Sequence, residues 1–368
     1  MLGRPVRNRI SSLKVPHDCL QPFAIRGCPR HRPCGGTSGI RRLMLTLHTI
    51  SAGPVSLTDT DYPPLPEDLV WIDLHNPTQD EEEAVEAMLG LQVPTRQEMA
   101  EIEESSRLYE EAGALIMTVT LIDKATTNRP MRTQTTFVLT EQRLITVRYS
   151  DLMPFRAFEA RQARQPEQYA SSGVVFVALL ESIIERIADL LEAAESDVGA
   201  ISDLIFYPEA TTQNSEEHSA EMRTLLLRLG RRNRMLAILR ESLLGMNRLV
   251  LFARAAAPWI RNGTLQRLKA VERDLRSLSE HEARVEAEIS YLQDATLGLI
   301  NIEQNTIIKV FSIAAVLFLP PTLVGTIYGM NFEHMPELDW RIGYPLALVM
   351  MVVSASLPYW WFKKKGWL

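Results

Sequence analysis

The sequence predicts an α+β membrane protein, in which a cytoplasmic α/β domain is followed by long helices and by a hairpin of two transmembrane helices. Residues 310–327 and 342–362 contain no charged side chain. Each run reaches the roughly 18 to 20 apolar residues that a helix needs to cross the hydrocarbon core. Charged residues nevertheless make up 23% of the whole chain, so the hairpin is a small part of a mostly soluble protein.

The linker between the two apolar runs, residues 328–341, differs in charge from the segment after the second run. It contains three acidic residues, Glu333, Glu337 and Asp339, and one basic residue, whereas three lysines follow at 363–365. Basic residues collect on the cytoplasmic side of membrane helices. We therefore expect the linker outside and both termini in the cytoplasm, as in a multi-pass protein of a bacterial inner membrane. The alternative is that both runs are buried helices of a soluble domain.

Residues 1–43 have a composition of their own, rich in Arg, Pro and Gly and without helical or strand periodicity. They contain all three cysteines, Cys19, Cys28 and Cys34, whose spacing with nearby histidines fits no common zinc pattern. The apolar stretch of a secretory signal is absent from them. We predict a disordered extension, with a transit peptide as the alternative.

Residues 44–170 are predicted to form the α/β domain, with a mixed sheet. Asn76-Pro77-Thr78 makes a turn into an acidic helix at 79–89, and further helical segments lie within 94–109. Runs rich in β-branched residues predict the strands, at 44–50, 69–74, 114–122, 134–139 and 144–147.

The sequence does not indicate catalysis or nucleic-acid binding. It has no phosphate-binding glycine loop, no His-Glu-x-x-His and no Cys-x-x-Cys. The net charge of −6 disfavours a nucleic-acid partner. We expect neither an enzyme nor an organic cofactor.

Residues 171–309 are predicted to form a helical stalk region. Helical spacing over 174–206 carries many acidic residues, and 215–252 carries a cluster of arginines. We expect these helices to pair as an antiparallel hairpin through opposite charges, rather than to bind anionic lipid or nucleic acid. A third helical pattern runs from 265 to 329, which corresponds to about 97 Å. Its first half lies below the membrane, and its second half begins the transmembrane hairpin, 310–368.

The long helix carries a stripe that suits a pore. Two transmembrane helices cannot enclose a pore, so several copies must surround an axis. Polar rings suit a lumen and apolar rings suit a gate, although the hydroxyl groups can instead bond to their own helix. Steps of three and four residues give the stripe Asn305, Ile308, Ser312, Ala315, Leu319, Thr322, Thr326 and Gly329.

The chemistry of this stripe favours a hydrated divalent cation. Its oxygen ligands are neutral amides and hydroxyls, which can hold magnesium through its bound water, while the acidic linker attracts cations. The stripe has none of the Cys, Met or His ligands that soft metals prefer. Pro320 and Pro321 remove two amide donors within the helix and predict a bend or a loosened turn.

The linker begins with a specific motif, Tyr328-Gly329-Met330-Asn331-Phe332, and continues with Met335-Pro336-Glu337-Leu338. Between two apolar helices, of which the second ends in lysines, this motif closely resembles that of the CorA family of magnesium and cobalt transporters. The resemblance covers 44–368 in architecture. It implies a funnel-shaped homopentamer in which a long stalk helix continues into the pore and an outer ring of asparagines first meets hydrated magnesium.

The resemblance also implies roles for single residues. The matching positions are Gly329, Met330 and Asn331 for the selectivity motif, Asn305 and Thr322 for the pore, Asp294 for its inner entrance, and Ile308, Phe311 and Leu319 for a hydrophobic gate. The family further implies closure by cytoplasmic magnesium bound between protomers. For this regulatory site the candidates are Glu101, Glu103 and Glu104 with Asp274.

Two other functions remain open on the sequence. One is a zinc transporter of the same architecture, whose outer motif usually departs from Gly-Met-Asn. The other is a membrane-tethered structural coiled coil without transport, which has no use for a polar stripe.

Overall fold

The computed structural model describes residues 45–50, 53–56, 66–101, 103–127, 129–207, 215–330, 335–336, 340 and 342–366. All of these belong to one compact unit, Leu43–Leu368. The predicted extension, 1–43, lies outside the described residues.

A mixed seven-stranded sheet forms the first half of the chain, in the order β2-β1-β3-β7-β6-β5-β4. Its one parallel pair among the described residues joins β3 to β7, and the other neighbours are antiparallel. This confirms the predicted α/β domain with a mixed sheet. The strands are β1 Leu45–Thr49, β2 Gly53–Ser56, β3 Leu69–His75, β4 Leu108–Glu111, β5 Ala114–Asp123, β6 Met131–Leu139 and β7 Leu144–Arg148.

Short helices connect the strands. The helix α1, Gln79–Leu89, begins at a capping box in which Thr78 and Glu81 satisfy each other's backbone amides. It ends at Gly90, whose φ of 65° is the left-handed conformation that glycine adopts without strain. The remaining short helices are α2 Arg96–Met99, α3 Glu104–Arg107, α4 Met153–Arg164 and a 3₁₀ turn at Pro166–Tyr169.

The core lies between one face of the sheet and the helices behind it. Phe137 of β6 packs against Phe155 of α4 and against Phe176 of the next helix, with ring centroids 6.5 and 5.9 Å apart. Trp71 of β3 is fully buried and contacts Phe158 at 5.2 Å. Buried aromatic side chains of this size fix how the helices sit on the sheet.

Three long helices complete the soluble part, namely α5 Ser172–Phe206, α6 Ser215–Ala256 and the lower half of α7 Asn262–Tyr328. The predicted charge pairing of α5 with α6 is present at Asp197, which binds Arg228 and Arg232. This confirms the expected pairing of α5 with α6, although the sequence did not predict that α7 packs against both. Most other ion pairs of these helices reach α7. They are Arg240 with Glu282 and Glu286, Arg254 with Glu272, and Arg267 with Glu181.

The chain ends in a helical hairpin, α7 followed by α8 Gly343–Lys364. In the part of the chain that the structure describes, α7 and α8 are the helices long and apolar enough to cross a membrane. Buried positions make up 0% of the apolar window of α7 and 11% of that of α8, which does not fit two core helices of a soluble domain. The two helices cross closely at Gly325, where an added Cβ would lie 3.3 Å from Met351 Cε.

Candidate ion pathway

The polar stripe of α7 lies on the face turned away from α8. The positions that face α8 are half-buried and include Ile313, Leu317, Pro320 and Val324. Each is followed two residues later by an exposed residue of the stripe. Because two residues correspond to about 200° around a helix, the stripe lies on the face opposite α8. These stripe residues are Ala315, Leu319, Thr322 and Thr326. Further down the helix all residues from 304 to 312 are exposed, among them Asn305, Ile308 and Ser312 of the stripe and Phe311 of the expected gate.

Two hydroxyl groups of the stripe are bonded to their own helix. Thr322 Oγ1 donates to Phe318 O and Thr326 Oγ1 donates to Thr322 O, both at 2.7 Å. The sequence left this possibility open, and it holds for both threonines. A hydroxyl that donates in this way keeps its oxygen lone pairs, so it can still accept a hydrogen bond from the water of a hydrated ion.

The double proline lies inside a helix that does not end there. Pro320 and Pro321 are both helical residues of α7. Neither can donate a backbone hydrogen bond, so the carbonyl groups one turn earlier, at Val316 and Leu317, lose their usual partners. These carbonyls lie just below Thr322, and this is the part of α7 whose backbone ladder is weakest.

The C-terminal end of α7 and the linker that follows it are described only in part. The backbone N–H of Gly329 donates to Gly325 O at 3.0 Å, and Met330, 43% exposed, follows at once. These two residues follow the last turn of α7, at the end of the helix where the stripe also ends. Asn331 and the acidic residues Glu333, Glu337 and Asp339 lie outside the described residues.

The opposite end of the apolar hairpin, where α7 enters it and α8 leaves it, carries charges of both signs. Asp294 is exposed on α7, sixteen residues and so about 24 Å below the first uncharged residue of the transmembrane segment. Lys309 is exposed immediately before that segment. At the end of α8, Lys363, Lys364 and Lys365 are also exposed. In the sequence, these last three lysines indicate only the orientation of the hairpin.

The proposed regulatory carboxylates are not gathered within one chain. Glu101, Glu103 and Asp274 are exposed, and the Glu101 carbonyl accepts a hydrogen bond of 2.8 Å from Arg107 Nε. The described residues hold no group of three or more His, Cys, Asp or Glu that could bind a metal. The side chain of Glu104 is not described. A site shared between protomers stays a prediction.

Two adjacent residues of α6 connect the sheet with the long helix α7. This connection was not predicted from the sequence. Arg240 donates to Glu282 Oε2 at 3.1 Å and to Glu286 Oε1 at 3.0 Å, and both acceptors belong to α7. Glu241 accepts from Thr120 of β5 at 3.0 Å and pairs with Arg132 of β6 at 2.8 Å. Burial raises the pKa of Glu282, and Arg240 partly opposes that shift. The signal in the sequence was an adjacent pair of opposite charges within a helix.

A second buried polar cluster lies where β3 and β7 run parallel. Asp73, 1% exposed, binds Arg148 Nη2 at 2.8 Å and accepts from Thr146 at 2.5 Å. His48 stacks on Trp71 at 4.0 Å, and neither of its ring nitrogens has a hydrogen-bond partner among the described residues. Burial lowers the pKa of His48 to about 4. This cluster joins β3 to β7.

Comparison with known proteins gives consistent matches over most of the chain. The family model described as CorA-like Mg²⁺ transporter protein matches residues 66–364. The magnesium transport protein CorA of Salmonella typhimurium is 35% identical over 303 residues, covering 82% of this chain and 92% of that protein. The protein of the same name from Sodalis glossinidius is 35% identical over 327 residues, covering 88% of this chain and 100% of that protein.

Solved structures of low sequence identity share the fold. The complete structure of the CorA magnesium transporter from Methanocaldococcus jannaschii has a TM-score of 0.67 and 17% identity, covering 88% of this chain and 98% of that one. The full-length CmaX protein has a TM-score of 0.62 and 18% identity, covering 89% and 99%. The ZntB cytoplasmic domain from Vibrio parahaemolyticus has a TM-score of 0.51 and 9% identity, covering 70% and 97%.

Proposed function

The chain belongs to the CorA-like Mg²⁺ transporter family, and from this premise we propose that it moves Mg²⁺, and also Co²⁺, across the cytoplasmic membrane. The pore is formed by several copies of the chain, in a funnel-shaped pentamer. In this proposal residues 44–170 are the cytoplasmic α/β domain, 171–309 the stalk region and 310–368 the membrane hairpin.

The observation that carries the proposal is the exposed stripe of α7 on the face opposite α8. A stripe of this kind needs an environment other than lipid, because polar side chains in a membrane helix face a protein interior or water. If α7 of each copy turns this face to a common axis, α8 lies outside it and faces lipid. Asn305, Ser312, Thr322 and Thr326 then form polar rings, and Ile308, Phe311, Ala315 and Leu319 form apolar ones.

Selection takes place at the outer end of the pore. Magnesium gives up its water reluctantly and keeps octahedral geometry. A ring made by Gly329, Met330 and Asn331 would hold the hydrated ion through hydrogen bonds from its water to the asparagine amide oxygens. The acidic linker residues raise the local concentration of cations without selecting among them.

Cytoplasmic magnesium closes the pore in this proposal. The candidates for the sensing site are Glu101, Glu103 and Glu104 of one protomer with Asp274 of another. Exposed carboxylates from two chains repel each other until a divalent cation binds between them. Raising magnesium on the cytoplasmic side of the protein should therefore lower the flux.

A zinc transporter of the same architecture is the second candidate function. The likeness to the ZntB cytoplasmic domain favours it, but at 9% identity that likeness concerns the fold alone. The stripe has no Cys, Met or His with which to bind a soft ion, and this favours magnesium. A structural tether without transport leaves the exposed polar stripe without a purpose.

Ion uptake into proteoliposomes tests these functions together. Purified wild type should take up Mg²⁺ and Co²⁺, and Asn331→Ala should lose most of that flux. The matched control, Asn233→Ala, removes an asparagine from α6 in the soluble part and should leave the flux unchanged. Asp294→Lys should reduce the flux by placing positive charge at the inner entrance.

The outcomes separate the candidate functions. Uptake of Zn²⁺ far above that of Mg²⁺ by wild type would favour the zinc transporter. Absence of any divalent-cation flux in wild type would leave only the structural role. If the Asp294→Lys variant takes up ions at the same rate as wild type, Asp294 lies outside the pathway.

A further inference from the structure

Lysine is concentrated at one place in this chain. Of its 39 basic Lys and Arg residues, seven are lysines. Four of those seven lie at the inner ends of the two membrane helices, and all four are exposed. We call them the lysine cluster, which consists of Lys309, Lys363, Lys364 and Lys365. Everywhere else the chain uses arginine almost exclusively.

The lysine cluster lies at one level of the hairpin, although its members are far apart in sequence. Gly325 of α7 and Met351 of α8 are in contact and mark a shared height. Lys309 precedes Gly325 by sixteen residues, or about 24 Å, and Lys364 follows Met351 by thirteen residues, or about 20 Å. Because the helices are antiparallel, both distances run toward the inner end. The four lysines therefore lie at about the same level, where the uncharged segments stop.

The lysine cluster has no counter-charge within the described residues. None of its members makes an ion pair there, whereas arginines of the soluble part bind carboxylates, as Arg240 and Arg267 do. Lys364 instead lies over the face of Trp360, with Nζ 5.2 Å from the ring centroid. Trp360 and Trp361 are 62% and 54% exposed on α8. Tryptophan at this position is typical of the boundary between acyl chains and headgroups.

We propose that the lysine cluster and Trp360 bind the headgroup phosphate of an anionic phospholipid in the inner leaflet. This rests on the membrane topology of the proposed function. The indole lies beside the acyl chain while the ammonium groups contact the phosphate, an arrangement that a lipid satisfies and free phosphate does not. Lysine binds phosphate as a flexible point charge, without the bidentate geometry of arginine. The bound lipid is therefore exchangeable.

Native mass spectrometry of the full-length chain in detergent tests this proposal. Phosphatidylglycerol and phosphatidylcholine with identical acyl chains are titrated separately against wild type and against a variant carrying Lys363→Gln, Lys364→Gln and Lys365→Gln. Each lysine near an anionic surface contributes about a five-fold gain in binding. Allowing for non-additivity, the triple variant should bind phosphatidylglycerol about ten-fold more weakly or worse, with phosphatidylcholine unchanged.

Matched controls fix the interpretation. Lys124→Gln with Lys269→Gln removes lysines from the soluble part and should leave phosphatidylglycerol binding as in wild type. Equal binding of both lipids by wild type would overturn the proposal, and so would undiminished phosphatidylglycerol binding by the triple variant. A third overturning result is binding of inorganic phosphate alone as tightly as the lipid. Because the readout requires no ion flux, a chain that fails to transport but discriminates the lipids would contradict only the proposed function.

Discussion

Replacing Arg148 by Met should cost the sheet domain a large part of its stability. Arg148 is 4% exposed, and its guanidinium group binds the Asp73 carboxylate through Nη2 at 2.8 Å and Nε at 3.1 Å. Its stem and planar group lie over the Phe155 ring at 4.8 Å. Methionine preserves most of this packing but leaves Asp73, 1% exposed, without its counter-charge.

The expected loss is about 3 to 5 kcal/mol, the usual cost of breaking a buried ion pair from one side. A matched control exists a few residues away, because Arg156 pairs with Asp151 at 3.1 Å while their side chains are 60% and 51% exposed. Arg156→Met should cost below about 1 kcal/mol. Both variants remove a guanidinium group from a carboxylate at about 3 Å, but Arg148 is buried and also donates to Ser150 O at 3.0 Å, whereas Arg156 is exposed.

Thermal unfolding of the detergent-purified chain, followed by near-ultraviolet circular dichroism, provides the measurement. At about 2 to 4 °C per kcal/mol for a domain of this size, Arg148→Met should lower the midpoint by on the order of 10 °C and Arg156→Met by only a few degrees. Adding Asp73→Asn to Arg148→Met should recover part of the loss, since the stranded charge is then gone. Equal midpoints for Arg148→Met and Arg156→Met would refute the reasoning.

Two further predictions concern other sites. Burial lowers the pKa of His48 to about 4 in the folded protein. On acidification the unfolded chain therefore binds a proton before the folded one does. The free energy of unfolding should fall between pH 6.5 and 4, by at most about 1.4 kcal/mol per pH unit. His48→Phe keeps the stacking on Trp71 and should flatten this dependence in midpoint-against-pH curves, so an unchanged slope would count against it. Gly325→Leu should force α7 and α8 apart and lower the midpoint, whereas Gly325→Ala needs only a small shift of the flexible end of Met351. Met351→Ala should rescue the leucine variant, and equal stability of the two Gly325 variants would contradict the close contact.

The long elements were predictable because their signals are local. An unbroken helical pattern from 265 to 329 corresponds closely to α7, Asn262–Tyr328, including the two prolines within it. β4 and α4 were not predicted. β4 is a four-residue edge strand whose conformation depends on pairing with β5. The residue before α4 is Leu152, which has no side chain that could cap the helix.

The site was predictable only as far as one helix determines it. Steps of three and four residues give the stripe of α7, but the face that α8 covers depends on packing between helices. Ion pairs show the same limit. The arginine cluster of α6 was expected to face α5, and Arg228 and Arg232 do bind Asp197 there. Arg240 of the same helix binds Glu282 on α7 instead. Such partners lie 42 residues apart in sequence, and no spacing rule connects them.

The position of α6 between the sheet and α7 has a thermodynamic consequence. Arg240 and Glu241 are neighbours on one rigid helix, and they hold α7 and the sheet respectively. A shift of α6 therefore changes both sets of contacts at once. Coupling of this kind is reciprocal. If a ligand of the sheet changes the position of α7, then any other event that moves α7 changes the affinity of the sheet for that ligand by the same factor. If the proposed function holds, an ion bound in the pore is therefore also an effector of the sheet domain.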